Sequence, residues 1–143
     1  MSGDDFIALA GILAATARQE ESRYRTAVSR AYYGAFHVAA SFVAEFNVRV
    51  PRNHVAHNEV YRLLSSVPHP EPRRAAQFLN QLRGERNAAD YDLSATRFRE
   101  QANATLSVEI AHRVRTMLHA CRQEPIRSVI VETIRAQAQR GGA

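Results

Sequence analysis

Lysine is absent from this chain: all 19 of its basic residues are arginine. A GC-rich coding sequence accounts for that bias by itself. Its chemical consequence holds either way, because every cation is then a planar guanidinium that stays charged and can fork onto a carboxylate or a phosphate. Against 14 acidic residues the formal net charge is +5 and the pI is near 10.1, an excess compatible with a nucleic-acid partner without demonstrating one. The single cysteine, Cys121, excludes an internal disulfide and a cysteine-based zinc site; the expectation for it is a small core residue on a late helix. No apolar run approaches the length of a membrane span. The opening Met1-Ser2-Gly3-Asp4-Asp5 is acidic, which is wrong for a secretion signal, so a cytoplasmic protein is expected. Strand signals are also missing: there is no alternating run of β-branched residues and no Asn-Gly or Asp-Gly hairpin turn.

What is present is helical periodicity. The 143 residues, 45% hydrophobic and 23% charged, suffice for one domain with a core that needs no staples. A first helix is expected over Asp4–Gln19, burying Phe6, Leu9, Ala10, Leu13 and Ala17. A second runs from Ser22 to Phe46 with Val28, Tyr32, Ala35, Phe36, Ala39, Phe42, Val43 and Phe46 inward. Pro51 breaks the pattern, and a short helix follows over His54–Ser65 with Val60, Leu63 and Leu64. The segment Val67 to Pro72 holds three prolines and reads as a loop. From Pro72, a good first-turn residue, a fourth helix reaches Ala89 through Ala76, Leu79 and Leu82. A fifth starts near Ser94 and carries Phe98, Ala102, Leu106, Ile110, Val114, Met117 and Cys121. After Pro125 a terminal helix spans 126–139. The expected fold is an all-α, up-and-down bundle of five to six helices with short links, one domain over 1–143 with its core in 5–122.

Two features carry chemistry. On the second helix Arg23, Arg30 and His37 are seven apart with Tyr33 between them, so all four fall within about a quarter of the circumference. Such a stripe either hydrogen-bonds to a neighbouring helix at a bundle edge or lines a groove or dimer seam. The small residues Ala31, Gly34, Ala35, Ala39 and Ala40 permit close helix approach, and Gly34 costs about 1 kcal/mol against alanine in mid-helix, which calls for a packing reason. The second feature is Arg86-Asn87-Ala88-Ala89-Asp90-Tyr91, a cation, an amide, a carboxylate and a phenol within six residues. Positions five apart on a regular helix point about 140° from each other, so Arg86 and Tyr91 are expected to converge only where the helix ends or bends near Asp90. Asp92 or Ser94 would then cap the next helix. The purely structural account is that Arg86 pairs with Asp90 four residues on, an interaction of a few tenths of a kcal/mol, with Asp90 or Asp92 a turn residue and Tyr91 a half-buried anchor. His54 and His57, three apart, are a weak candidate for a metal site; a solvated or capping role is favoured. His112, His119 and the arginines of the C-terminal segment (Arg122, Arg127, Arg135, Arg140) fit a solvated or interface face.

Three blocks together resemble a known family. Ser29-Arg30-Ala31-Tyr32-Tyr33-Gly34-Ala35-Phe36-His37, then Ala56-His57-Asn58-Glu59-Val60, then Leu82 through Asp92 are similar in content, order and spacing to the HEPN domain family (higher eukaryotes and prokaryotes nucleotide-binding), over about residues 5 to 122. The resemblance implies a bundle of about five helices that usually dimerises. It implies activity as a metal-independent endoribonuclease, without metal or cofactor, serving as the effector of a toxin–antitoxin or phage-defence system. In active members an arginine, a polar follower and a histidine four to six residues on come together in a cleft between two protomers. Here the arginine is Arg86, the polar follower Asn87, and the histidine position holds Tyr91.

That departure divides the motif. An arginine stabilises the charge that builds on phosphoryl oxygens; a histidine would move the proton of the ribose 2′-OH or of the leaving oxygen. A phenol, with an ordinary pKa near 10, orients a phosphate or donates a proton but is a poor base. Arg30, Tyr33, His37, His57 and Asp90 are candidates to complete the cleft, with His37 or His57 as the substitute base. The same residues also suit a non-catalytic module that binds nucleotide or RNA, or that regulates a partner such as a nucleotidyltransferase or an antitoxin. Whether the chain cuts or only binds stays open at this point.

Overall fold

The computed structural model describes residues 1–15 and 20–141. Among them lie six α-helices, one 3₁₀ turn and no strand: α1 (Gly3–Ala14), α2 (Glu21–Ala44), α3 (Ala56–Ser66), α4 (Pro70–Tyr91), the 3₁₀ turn Thr96–Arg99, α5 (Gln101–Cys121) and α6 (Ile126–Gly141). The all-α bundle is therefore as expected. α2 is its centre, packed against α1, α4 and α5, while α4 also packs on α3 and α5. Among the described residues no helix is long and apolar enough to cross a membrane.

Local chemistry sets most of the helix ends. Ser2 and Asp5 form a reciprocal capping box at α1: the Asp5 amide donates to Ser2 Oγ at 3.3 Å and the Ser2 amide to Asp5 Oδ2 at 2.7 Å. α2 ends at Ala44, and in the turn that follows Asn47, with a φ of 62°, takes the chain left-handed, a conformation asparagine tolerates. α4 starts at Pro70, two residues before the expected Pro72. Both prolines lie in the first turn, where amides have no intrahelical partner to lose, and the His69 ring accepts the Glu71 amide at 3.2 Å. The same helix continues past Ala89 to Tyr91.

Two registers depart from expectation. In α1 the buried residues are Gly3, Ile7, Ala10 and Ala14, whereas Leu9 is 39% exposed and Phe6 and Leu13 are half-buried. The helix carries two apolar faces, and α2 selects the smaller-residue one. A Cβ on Gly34 would lie 2.6 Å from the Ile7 side chain and 2.9 Å from the Gly3 carbonyl oxygen, so Gly34 is the crossing point of α1 and α2, the packing reason its position called for. Ala17 lies outside the described residues. The fifth helix begins only at Gln101, with Phe98 on the separate 3₁₀ turn. That break resets the helical phase: Ala102 and Leu106 face outward, and Ala104, Ser107, Val108 and Ala111 face the core. Asp92 and Ser94 do not cap α5; they bond to each other, the Ser94 hydroxyl donating to Asp92 Oδ1 at 2.6 Å. Cys121 is fully buried on α5, and burial pushes its thiol up to about 11.

Candidate functional site

The hexapeptide occupies the last turns of α4, directly beside the middle of α2. Arg86 is half-buried, its side chain 21% exposed, and contacts four residues. Nη2 donates a short hydrogen bond to the Tyr33 hydroxyl, and Nη1 donates to Asn87 Oδ1 at 2.9 Å. Nε lies 3.0 Å from Asp90 Oδ2, an ion-pair contact bent off the N–H axis, so Nε keeps no hydrogen bond. The guanidinium also lies over the Tyr33 ring at 5.0 Å and over the Tyr91 ring at 5.8 Å. Of five donors two are committed and the Nε donor is enclosed beside Asp90, which leaves one N–H on each Nη for an incoming oxyanion. Arg86 and Tyr91 converge where the helix ends, as their spacing required: α4 closes at Tyr91, with Asp92 as its C-cap. Asp90 is held from the other side by Ser29 Oγ at 3.4 Å.

What fixes this end of α4 is a residue that the sequence reading passed over. Arg25, only 9% exposed, donates to the carbonyl oxygens of Ala89 (2.8 Å), Asp92 (3.0 Å) and Ala95 (3.1 Å), with a longer contact to Ala88 at 3.4 Å. Its other face stacks over Phe98 at 4.8 Å, and Glu21 balances its charge at 2.9 Å. The last carbonyls of a helix have no intrahelical donor and carry the negative end of its dipole; a buried guanidinium answers both. The signal was available. Arg25 sits in phase with Val28, Tyr32, Ala35 and Ala39 on the core stripe of α2, where an arginine must have buried acceptors.

The remaining candidates separate into two groups. Tyr33 joins Arg86 directly, so the stripe on α2 does bond to a neighbouring helix. Arg30 lies over the rings of Phe6 and Tyr33, each at 5.8 Å, and His37 stacks on Phe6 at 5.6 Å. Arg23, by contrast, pairs with Glu20 at 2.8 Å. His57 is not solvated, as its position three from His54 had suggested: it is 6% exposed, on α3, with Nδ1 sharing a 2.9 Å hydrogen bond with the Tyr32 hydroxyl. Its Nε2 is enclosed, with no hydrogen bond of regular geometry, while the Asn80 side chain favours the protonated form of the ring. His54 lies outside α3 on the surface. Among the described residues no group of three or more His, Cys, Asp or Glu is placed to hold a metal ion.

Burial, reinforced by the Arg83 charge and opposed by Asn80, pushes His57 down to about 4. Burial likewise raises Tyr32, against the charges of Arg83 and Arg86. The unfolded chain takes up the His57 proton near pH 6.5, the folded one only near 4. Stability from this site is therefore fully present above about pH 6.5 and is lost as pH falls toward about 4, by an amount on the order of 3 kcal/mol. Urea unfolding at neutral and at mildly acidic pH measures this, and His57→Asn is expected to flatten that pH dependence.

An α-helical bundle that places an arginine, an amide and two phenols at one helix end defines the class: a helical domain with a candidate anion-handling corner. The family model for the HEPN domain matches residues 7–121, most of the chain. The protein belongs to the HEPN domain family, which gives it a nucleotide- or RNA-related role in general terms. No similar curated protein and no similar solved structure was found.

Proposed function

We propose that the protein acts on RNA as a metal-independent endoribonuclease, with a composite site in the cleft of a homodimer. The observation that carries this reading is the state of Arg86: half-buried, oriented by Tyr33 and Asn87, yet with donors to spare. In the proposed step the ribose 2′-oxygen attacks the adjacent phosphorus and the bond to the 5′-oxygen breaks, leaving a cyclic phosphate and a free 5′-hydroxyl. Arg86 stabilises the charge on the phosphoryl oxygens in the transition state. Asn87 positions it. Tyr91, 75% exposed beside the guanidinium, donates its proton to the leaving oxygen, while the 2′-OH proton passes to water. The cellular setting that this activity suits is the effector of a prokaryotic toxin–antitoxin or phage-defence system, controlled by an antitoxin or a nucleotidyltransferase partner.

A second reading has its own observation. No histidine contacts Arg86 among the described residues: His57 is enclosed with Tyr32, and His37 stacks on Phe6. A corner with an electrostatic clamp and no imidazole suits a module that binds nucleotide or RNA, or regulates a partner, without cutting.

Purified protein incubated with total RNA and EDTA is expected to cleave it, and Arg86→Ala to lose about 10²–10³-fold in rate. Circular dichroism and size exclusion would establish that the variant is folded and dimeric. Absence of cleavage by the native chain would overturn the nuclease in favour of the binding module. A monomer at micromolar concentration would count against the composite cleft in both.

A further inference from the structure

The stripe on α2 does not stop at Arg86. From Arg86 the contacts run through Tyr33 to Arg30, from Arg30 to the Phe6 ring and from Phe6 to His37. His37 then forms one wall of an open groove of about 1240 Å³ between the C-terminal half of α2 and the segment that follows Asn47. Its lining combines alanines and valines with Phe36 and His37, which meet edge to face at 5.6 Å, and with Arg49 and Arg52. Both arginines are exposed, and among the described residues neither has an acidic partner. Glu45, the acid nearest in sequence, is already bound bidentately by Arg122 at 3.0 and 3.1 Å. Arg30 lies over two aromatic rings and likewise has no acidic partner among the described residues.

We propose that this groove is a binding track for single-stranded RNA, which seats nucleotides adjacent to the one held at Arg86. The volume exceeds the roughly 300–1,000 Å³ of a typical small-molecule pocket, so a chain fits it better than a mononucleotide. Unneutralised guanidiniums beside an exposed His37 and a half-buried Phe36 are the combination that tracks a phosphate backbone while a base stacks on a ring. A duplex hides its bases and presents no ring to Phe36 or His37. The proposal rests on the RNA-acting reading above but does not require cleavage.

The test is fluorescence anisotropy with a short labelled oligouridylate, on the full chain and on Arg49→Ser/Arg52→Ser. A second double variant, Arg73→Ser/Arg74→Ser, removes the same charge from exposed positions at the start of α4. The groove variant is expected to bind about 10-fold more weakly or worse, and its log–log salt slope to fall by about 1.4, two released counterions on a single strand. The control is expected to lose far less, and an RNA duplex to bind more weakly than the single strand. Equal losses in both variants, unchanged binding, or a change in oligomeric state in place of lost binding would each overturn the track; the last would make the groove a protein interface. Groove-dependent binding without cleavage would uphold the track and sink the nuclease. Cleavage with unimpaired binding by the groove variant would do the reverse.

Discussion

Arg25→Ala is expected to destabilise the fold by about 3–5 kcal/mol, the range for breaking a buried ionic network by removing one partner. The variant would leave the carbonyls of Ala89, Asp92 and Ala95 without their donor, Glu21 with only the distant Arg99 at 3.7 Å, and a void against Phe98. Those costs act together because one planar group meets all of them. Most small domains have only 5–15 kcal/mol in total, so the effect would show as a large fall in urea midpoint or as failure to fold. Arg25→Lys separates the charge from the geometry. An ammonium supplies charge and three donors from a point, not a fork; it is expected to recover part of the loss while α4's end stays loose. A shift below about 1 kcal/mol in Arg25→Ala would mean that water can take over the carbonyls and that this helix end is less enclosed than its contacts indicate.

The same residue shows why the sequence yields the fold more readily than the site. Helix count and the faces of α2, α3 and α4 follow from one-dimensional periodicity, and Val28, Tyr32, Leu64, Leu79 and Leu82 are buried as that periodicity requires. Periodicity fails where a helix has two plausible faces. α1 offers Phe6 and Leu9 against Ile7 and Ala10, and the choice falls to Gly34 on another helix, where only small residues allow the backbones to meet. It fails again where a break resets the phase, as between Phe98 and α5. For the site, the motif identified Arg86, and Asp90 pairs with it through simple four-residue spacing. The bond to Tyr33 needed the docking of α2 on α4, across 53 residues of sequence. His57 is the sharpest case. A histidine near a helix start looks like a capping or solvated residue until the partner 25 residues away, Tyr32, closes over it.

If the protein is the nuclease proposed above, Tyr91→His is expected to raise its rate of RNA cleavage at neutral pH by on the order of 10²-fold, the lower end of what a positioned acid–base group contributes. Tyr91 is the one element of the motif that can be exchanged without disturbing the rest. Its side chain is 75% exposed and touches Arg86 only through its ring face, so the fold loses little. An imidazole there titrates near pH 6.5, within reach of both roles, taking the 2′-OH proton and returning one to the leaving oxygen. The rate profile would accordingly acquire a titration near that pH, which a merely structural effect would not produce. Adding Arg86→Ala to Tyr91→His is expected to remove the gain, since the proton shuttle acts on charge that Arg86 stabilises. If Tyr91→His leaves the rate where it was while Arg86→Ala still weakens RNA binding, the limiting element is not the missing histidine. It would be Asp90, which sits 3.0 Å from Arg86 Nε and competes with phosphate for the guanidinium, and the corner would then be built to hold RNA without cutting it.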